Sequence, residues 1–231
     1  MKWQVALLAF LAFTSQALGH FVYILPPTDK QDIQVVFSDS LGQDEKVAID
    51  KIAATELIVV DATGKQANLI WTKAEHCLKA TLPASAPVLV GGITRYGVAN
   101  SRHTGNIPVL LKYYPKAVIG EPAAALELRL APTVPFEIVP LVRDGKLQFV
   151  ALRDGKPLPD CVCVVQVPGE PKREQLQTEF DGQVPGTYSK PGRYGVWVKL
   201  VDATPGEWEG QRYEKVNCYA TLVVEFAPSA Q

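Results

Sequence analysis

His20, His76 and His103 are the only histidines in this chain, and the first has the most telling neighbourhood. It follows Met1-Lys2-Trp3-Gln4, an apolar run from Val5 to Phe13, and Thr14-Ser15-Gln16-Ala17-Leu18-Gly19. A short positive start, an apolar stretch and a zone of small residues mark residues 1–19 as a secretory signal peptide. The apolar stretch would rise only about 14 Å as a helix, roughly half the hydrocarbon layer, so it is too short for a membrane anchor. Small residues before the cut are satisfied in two registers. Cleavage after Gly19 makes His20 residue one, so its α-amine and imidazole Nδ1 can chelate a metal ion while further imidazoles complete the shell. Cleavage after Ala17 leaves Leu18-Gly19-His20, which offers an amine, two deprotonated backbone nitrogens and an imidazole in a square plane. Both sets suit Cu(II) best and Ni(II) next. The amine must lose a proton to bind, so affinity is expected to fall below about pH 6.

The remaining candidate ligands are His103 and His76. His103 sits in the polar loop Asn100-Ser101-Arg102-His103-Thr104-Gly105, and loops held on a rigid frame are where ligands collect. His76 enters a strand in Lys73-Ala74-Glu75-His76-Cys77. Strand neighbours point to opposite faces, so either His76 or the Glu75/Cys77 pair can address a given site. The metal set expected is therefore His20, His103 and His76, and the expected cofactor is a copper or nickel ion. Cys161 and Cys163 share one face of a strand and could grip Cu(I) through both sulfurs. In an exported chain a disulfide is the stronger expectation, with one of the two closing on Cys218 and the other thiol buried or paired with Cys77.

Several function classes drop out. Net charge is −1 and no basic run exceeds Lys172-Arg173, so there is no stripe to neutralise phosphates or grip an anionic membrane. No Gly-x-Ser-x-Gly elbow, His-Glu-x-x-His site or phosphate loop is present, and no catalytic residues are assigned. Asn-x-Ser/Thr sequons are absent, which favours a bacterial envelope protein over a glycosylated one.

The elements that must position the histidines read as strands: short β-branched and aromatic runs punctuated by Gly, Pro and Asp about every ten residues. Strands are expected at Phe21–Leu25, Ile33–Ser38, Glu56–Val60, Ala67–Thr72, Cys77–Leu82, Val88–Ile93 and Val109–Tyr114. The second half adds Leu126–Leu130, Phe136–Val142, Lys146–Leu152, Cys161–Val167, Gln175–Glu179, Arg193–Leu200 and Tyr213–Phe226. No sustained 3.6-residue period runs beyond about two turns. The fold class is therefore all-β: two Ig-like or transthyretin-like antiparallel β-sandwich domains. The proline pair Pro132 and Pro135 places the boundary, giving domains at 20–131 and 132–231 after the leader.

Short motifs along the chain resemble the DUF4198 family. In the second half these are Asp154-Gly155-Lys156-Pro157-Leu158-Pro159-Asp160-Cys161-Val162, Phe180-Asp181-Gly182-Gln183, Lys190-Pro191-Gly192-Arg193-Tyr194, Glu209-Gly210-Gln211-Arg212-Tyr213-Glu214 and Tyr219-Ala220-Thr221-Leu222. In the first half they are His20-Phe21, Tyr96-Gly97-Val98 and Leu110-Leu111-Lys112-Tyr113-Tyr114-Pro115-Lys116-Ala117. The resemblance implies likeness to the extracytoplasmic substrate-binding part of nickel and cobalt uptake systems. Cys218 departs from the pattern, standing where a histidine is expected before Tyr219-Ala220-Thr221.

The leading expectation is thus a secreted or periplasmic, non-enzymatic protein that captures Cu(II) or Ni(II) at its mature N-terminus, for sequestration or delivery to uptake. Its expected partners are the divalent ion and a membrane transporter or other envelope protein, with no nucleic acid. The alternative is a metal-free Ig-like structural or interaction module of the cell envelope. An oxidative copper enzyme acting on polysaccharide shares the terminal histidine, but would want more loop aromatics around it.

Overall fold

The computed structural model describes residues 19–27, 31–83, 87–120, 125 and 128–228, so the leader expected at 1–19 lies almost wholly outside the described residues. The chain is all-β, apart from short 3-10 turns such as Ile49–Ile52 and Arg102–Thr104. Its first half forms β1 (Phe21–Leu25), β2 (Asp32–Ser38), β3 (Thr55–Asp61), β4 (Gln66–Leu69), β5 (Thr72–Lys73), β6 (Leu78–Thr81), β7 (Pro87–Ala99) and β8 (Val109–Val118). The second half forms β9 (Phe136–Arg143), β10 (Lys146–Arg153), β11 (Lys156–Pro157), β12 (Val162–Gln166), β13 (Glu174–Gln177), β14 (Gln183–Tyr188), β15 (Gly192–Asp202), β16 (Gly206–Trp208), β17 (Gln211–Tyr213) and β18 (Lys215–Phe226). Among the described residues no helix is long and apolar enough to cross a membrane.

The architecture is layered. An eight-stranded sheet in the order β13-β12-β15-β18-β8-β7-β3-β4 lies in the middle. One face carries the sheet β1-β2-β6-β5, and the other carries β11-β10-β14 with β9 paired to β10. Period-two alternation explains the middle position, because each strand sends successive side chains into opposite cores. Leu57 and Val59 join the core under β1 and β2, whereas Ile58 and Val60 join the core under β9 and β10. Trp197 and Val223 go with the first pair; Val196, Val198, Leu222 and Val224 go with the second. All neighbours in the middle sheet are antiparallel except β8 and β18, which run parallel from Val109↔Lys215 to Ala117↔Val223. That one pairing carries the middle sheet across the boundary expected at residue 131.

Two buried polar contacts stand out, one local to the start of β15 and one joining the middle sheet to the outer layer. Tyr194, fully buried at the start of β15, donates its hydroxyl to the Lys190 carbonyl at 2.7 Å, the corner contact common in Ig-like sandwiches. Lys116 of β8 meets Glu137 of β9 at 2.6 Å, with the side chains 1% and 2% exposed. The other carboxylate oxygen of Glu137 accepts from the Leu130 backbone N–H at 3.2 Å. Of the strand expected at Leu126–Leu130, Leu128–Leu130 is coil, and residues 126 and 127 lie outside the described residues. The Ala131–Pro132 bond that follows is cis. β7 and β8 both run longer than expected, since Tyr114-Pro115 and Gly97 do not end them. The chain instead accommodates Gly97 at φ 96° through a shift in the β7–β8 register.

Candidate functional site

The geometry around His20 follows from how β1 is held. Its sequence, FVYIL, is apolar at every position, and all five side chains are buried. The Phe21 ring stacks on Trp197 at 4.8 Å and meets Tyr219 edge-on at 5.3 Å. One residue on, the Val22 carbonyl accepts the Thr221 hydroxyl at 2.6 Å. At the far end Leu25 and Pro26 line a small pocket with Arg193, whose guanidinium contacts Glu225 at 2.5 Å. β1 therefore travels along β18 in the same direction, from the level of Tyr219 to that of Glu225. His20 falls one step before Phe21, near Tyr113, the ladder partner of Tyr219.

The His20 side chain is fixed from two sides. Its Nε2 lies 2.7 Å from Asp44 Oδ2, and its ring tilts over Phe37 at 5.5 Å. The His20 carbonyl accepts the Tyr113 hydroxyl at 3.5 Å. Asp44 comes from the loop after β2, where its other oxygen caps the Lys46 backbone N–H at 2.9 Å. The hydrogen bond from His20, helped by that from Lys46, holds the Asp44 carboxyl below its usual range, so it stays an acceptor. An ionised acceptor at Nε2 selects, for the neutral ring, the tautomer with its hydrogen there and the Nδ1 lone pair free. Nδ1 is also the nitrogen that closes a six-membered chelate with the residue's own backbone nitrogen.

Beneath lies an aromatic floor. Tyr113 and Tyr219, partners across the parallel β8–β18 ladder, stack at 5.4 Å with an 18° interplanar angle. Tyr96 and Phe37 meet Tyr113 edge-on at 5.8 and 5.9 Å. Burial, reinforced by Tyr219 and Tyr96, pushes the Tyr113 hydroxyl well up, so it remains a neutral donor.

The other expected ligands stand apart. His103 is exposed in the turn Arg102–Thr104, which reciprocal Ser101 and Thr104 hydrogen bonds hold in shape. His76 is partly buried with Nε2 3.6 Å from Oε1 of its neighbour Glu75. Among the described residues no three His, Cys, Asp or Glu side chains are arranged to hold a metal, so the three histidines are not gathered into one side-chain cluster. The residue brought to His20 is Asp44, 24 positions along the chain. No spacing pattern announces that pair; it arises because β2 returns the chain beside β1, Phe21 opposite Ser38.

The disulfide expectation is overturned, since all four cysteines are free. Cys163 lies opposite Val198 and Cys218 opposite Leu200, with β15 between them. Two strand spacings separate their backbones by roughly 9.6 Å, beyond the roughly 7 Å Cα separation that a disulfide tolerates. Cys161 precedes β12 on the same side and meets the same obstacle. Burial pushes the Cys163 thiol up to about 11, and Cys161 adds to the shift, so neither is a ready thiolate.

No protein-family model matches the chain, and no curated protein matches it. Among solved structures it is similar to the "D0-D1 domain of Intimin", at 13% identity and a TM-score of 0.21, over 84% of this chain and 89% of that one.

Proposed function

We propose that this chain is exported, loses residues 1–19, and binds Cu(II) or Ni(II) through the α-amine and Nδ1 of His20, for sequestration or delivery to an uptake system. The observation that supports this reading is Asp44 at 2.7 Å from His20 Nε2. A carboxylate on the far nitrogen is the usual outer partner of a metal-bound imidazole: it sets the tautomer, aims the ring and raises the basicity of the ligating nitrogen. The donor set is nitrogen-rich and suits the later divalent metals. His103, in the loop that feeds β8, and His76, just before β6, are the further imidazoles of this reading. The DUF4198-like motifs point the same way. The reading is binding without turnover.

The test begins with N-terminal sequencing of the secreted protein, followed by calorimetric titration with Cu(II) and Ni(II). The expected result is a start at His20 and one ion per chain. Asp44→Asn should weaken binding by about tenfold or more, and His20→Ala should weaken it further. A retained leader, or tight binding indifferent to His20→Ala, overturns the proposal.

A further inference from the structure

The two ends of the middle sheet are unlike. At one end β13 carries Glu174 with Arg173 just before it, the kind of charge that keeps an edge strand from pairing with another molecule. The outer strands of the smaller sheets are guarded as well: β5 ends in Lys73, β11 is Lys156-Pro157, and β9 and β14 carry Pro140 and Pro185. β1 lies against the middle sheet, with the His20 and Val22 carbonyls taken by the Tyr113 and Thr221 hydroxyls. β4, the last strand at the other end, has no such guard. From Gln66 to Thr72 the chain is uncharged and free of proline, and among the described residues β3 is the only strand that pairs with β4.

The ladder shows which backbone groups of β4 point away from the sheet. Asp61 donates its backbone N–H to the Lys65 carbonyl at 3.1 Å and so closes the β3–β4 hairpin. Bonded and unbonded pairs alternate along an antiparallel ladder. Ala67 and Leu69, opposite Val59 and Leu57, therefore bond to β3, whereas Gln66 and Asn68 turn their N–H and C=O groups outward. The strand is held in place, because Thr133 donates its hydroxyl to Gln66 Oε1 at 2.8 Å. Just beyond β4, Ile70 stands 86% exposed. It borders a hollow of about 490 Å³ lined also by Ile58, Leu69, Ile93 and Val134. An apolar knob and an apolar hole thus lie side by side on one open edge.

We propose that β4 pairs antiparallel with β4 of a second copy of this chain, joining the two middle sheets across a twofold axis. Asn68 faces Asn68 on the axis and Gln66 faces Ile70, the register that uses every outward backbone group. Gln66, Asn68 and Ile70 share a face, so each Ile70 is laid on the face where the other copy's hollow opens. Self-pairing covers the knob and the hole of the same surface twice, which commits the edge to a second copy rather than to a foreign strand. Charge permits the register. Lys65 falls opposite Trp71 of the other copy, and Lys73, already paired with Asp50, falls opposite Thr63, so no like charges meet. The proposal is independent of the N-terminal chelate.

Sedimentation velocity over a range of concentrations should show a monomer–dimer equilibrium. Asn68→Pro removes an outward N–H that β3 does not use, so the hairpin survives while both copies lose a bond across the axis. It should weaken the dimer about tenfold or more. Ile70→Lys places a charge on each side of the contact and should weaken it at least as much. Asn68→Cys reads the register. Bonded antiparallel partners have Cα atoms about 5.5 Å apart, within disulfide reach, so mild oxidation should link the variant to its own copy. Gln66→Cys, whose two copies are set off along the strands on either side of the axis, should stay unlinked, as should the parent. Should Asn68→Pro disturb the fold, Ile70→Lys and the two cysteine variants still decide. A parent that is monomeric at every concentration, a dimer indifferent to Ile70→Lys, or equal cross-linking of Asn68→Cys and Gln66→Cys overturns the proposal.

Discussion

Replacing Lys116 by methionine would leave Glu137 as an unpaired carboxylate in a core where both side chains are almost fully covered. The pair is 2.6 Å apart at 1% and 2% exposure, and it joins β8 of the middle sheet to β9 of the outer layer. Burial pulls the Lys116 ammonium below its ordinary range, and Glu137 counters that pull. Stripping one partner from a buried ion pair costs about 3–5 kcal/mol, because the survivor keeps its desolvation penalty and loses its compensation. For a chain of this length each kcal/mol moves the melting temperature by about 2–4 °C, so Lys116→Met should lower it by roughly 6–20 °C. The double variant Lys116→Met with Glu137→Leu removes both charges together. It leaves only the Leu130 N–H without its acceptor, a cost of about 1–3 kcal/mol. The double variant should therefore be more stable than the single one, although it carries more substitutions. Urea unfolding followed by tryptophan fluorescence reads both. A Lys116→Met variant within about 1 kcal/mol of the parent, or a double variant less stable than the single, would refute the claim that this pair is held by mutual compensation.

Two further outcomes concern the rest of the molecule. Tyr23, Tyr113, Tyr114 and Tyr188 are buried, and burial raises all four hydroxyls above their ordinary range. A folded-state pKa above the unfolded value gives stability that is intact below about pH 10 and lost above it. Each such tyrosine then adds about 1.4 kcal/mol of loss per pH unit. Alkaline titration at 295 nm should accordingly show these tyrosines ionising in one cooperative step with unfolding; four independent ionisations near pH 10 would contradict their burial. The free cysteines predict that dithiothreitol leaves the melting temperature unchanged and that denatured protein releases four thiols. A reductant-sensitive transition would restore the disulfide.

What was legible in the sequence follows from how local each signal is. β1, β9 and β10 stand almost where their apolar and β-branched runs place them, because a strand's period is written in five or six consecutive residues. β14 is not among the expected strands, and it carries Pro185-Gly186, a pair that disfavours a strand; it stands at the end of its sheet, with a register shift where it meets β10 between Leu147 and Phe149. The parallel pairing of β8 with β18 joins residues about a hundred positions apart, and nothing in either strand names its partner. The same limit explains the disulfide. Cys163 and Cys218 lie on strands of one sheet and Cys161 just before the first of them, but only strand order reveals that β15 comes between. His20 stands out in the sequence because it follows the apolar run and the small residues after it, whereas Asp44 does not. An acidic loop residue acquires meaning only when β2 brings it to the histidine.

The placement of His20 also bears on how a metal could be held by so few side chains. Chain termini usually fray, and a chelate built on a fraying terminus must bear the cost of ordering it at each binding event. Here the residue after His20 begins a strand whose five side chains are all buried, with Phe21 stacked on Trp197 and Val22 held by Thr221. The imidazole is anchored through Asp44 and the carbonyl through Tyr113. Folding thus orders the backbone and ring in advance, so that under the proposed chelate only the amine would remain to be fixed when an ion arrives.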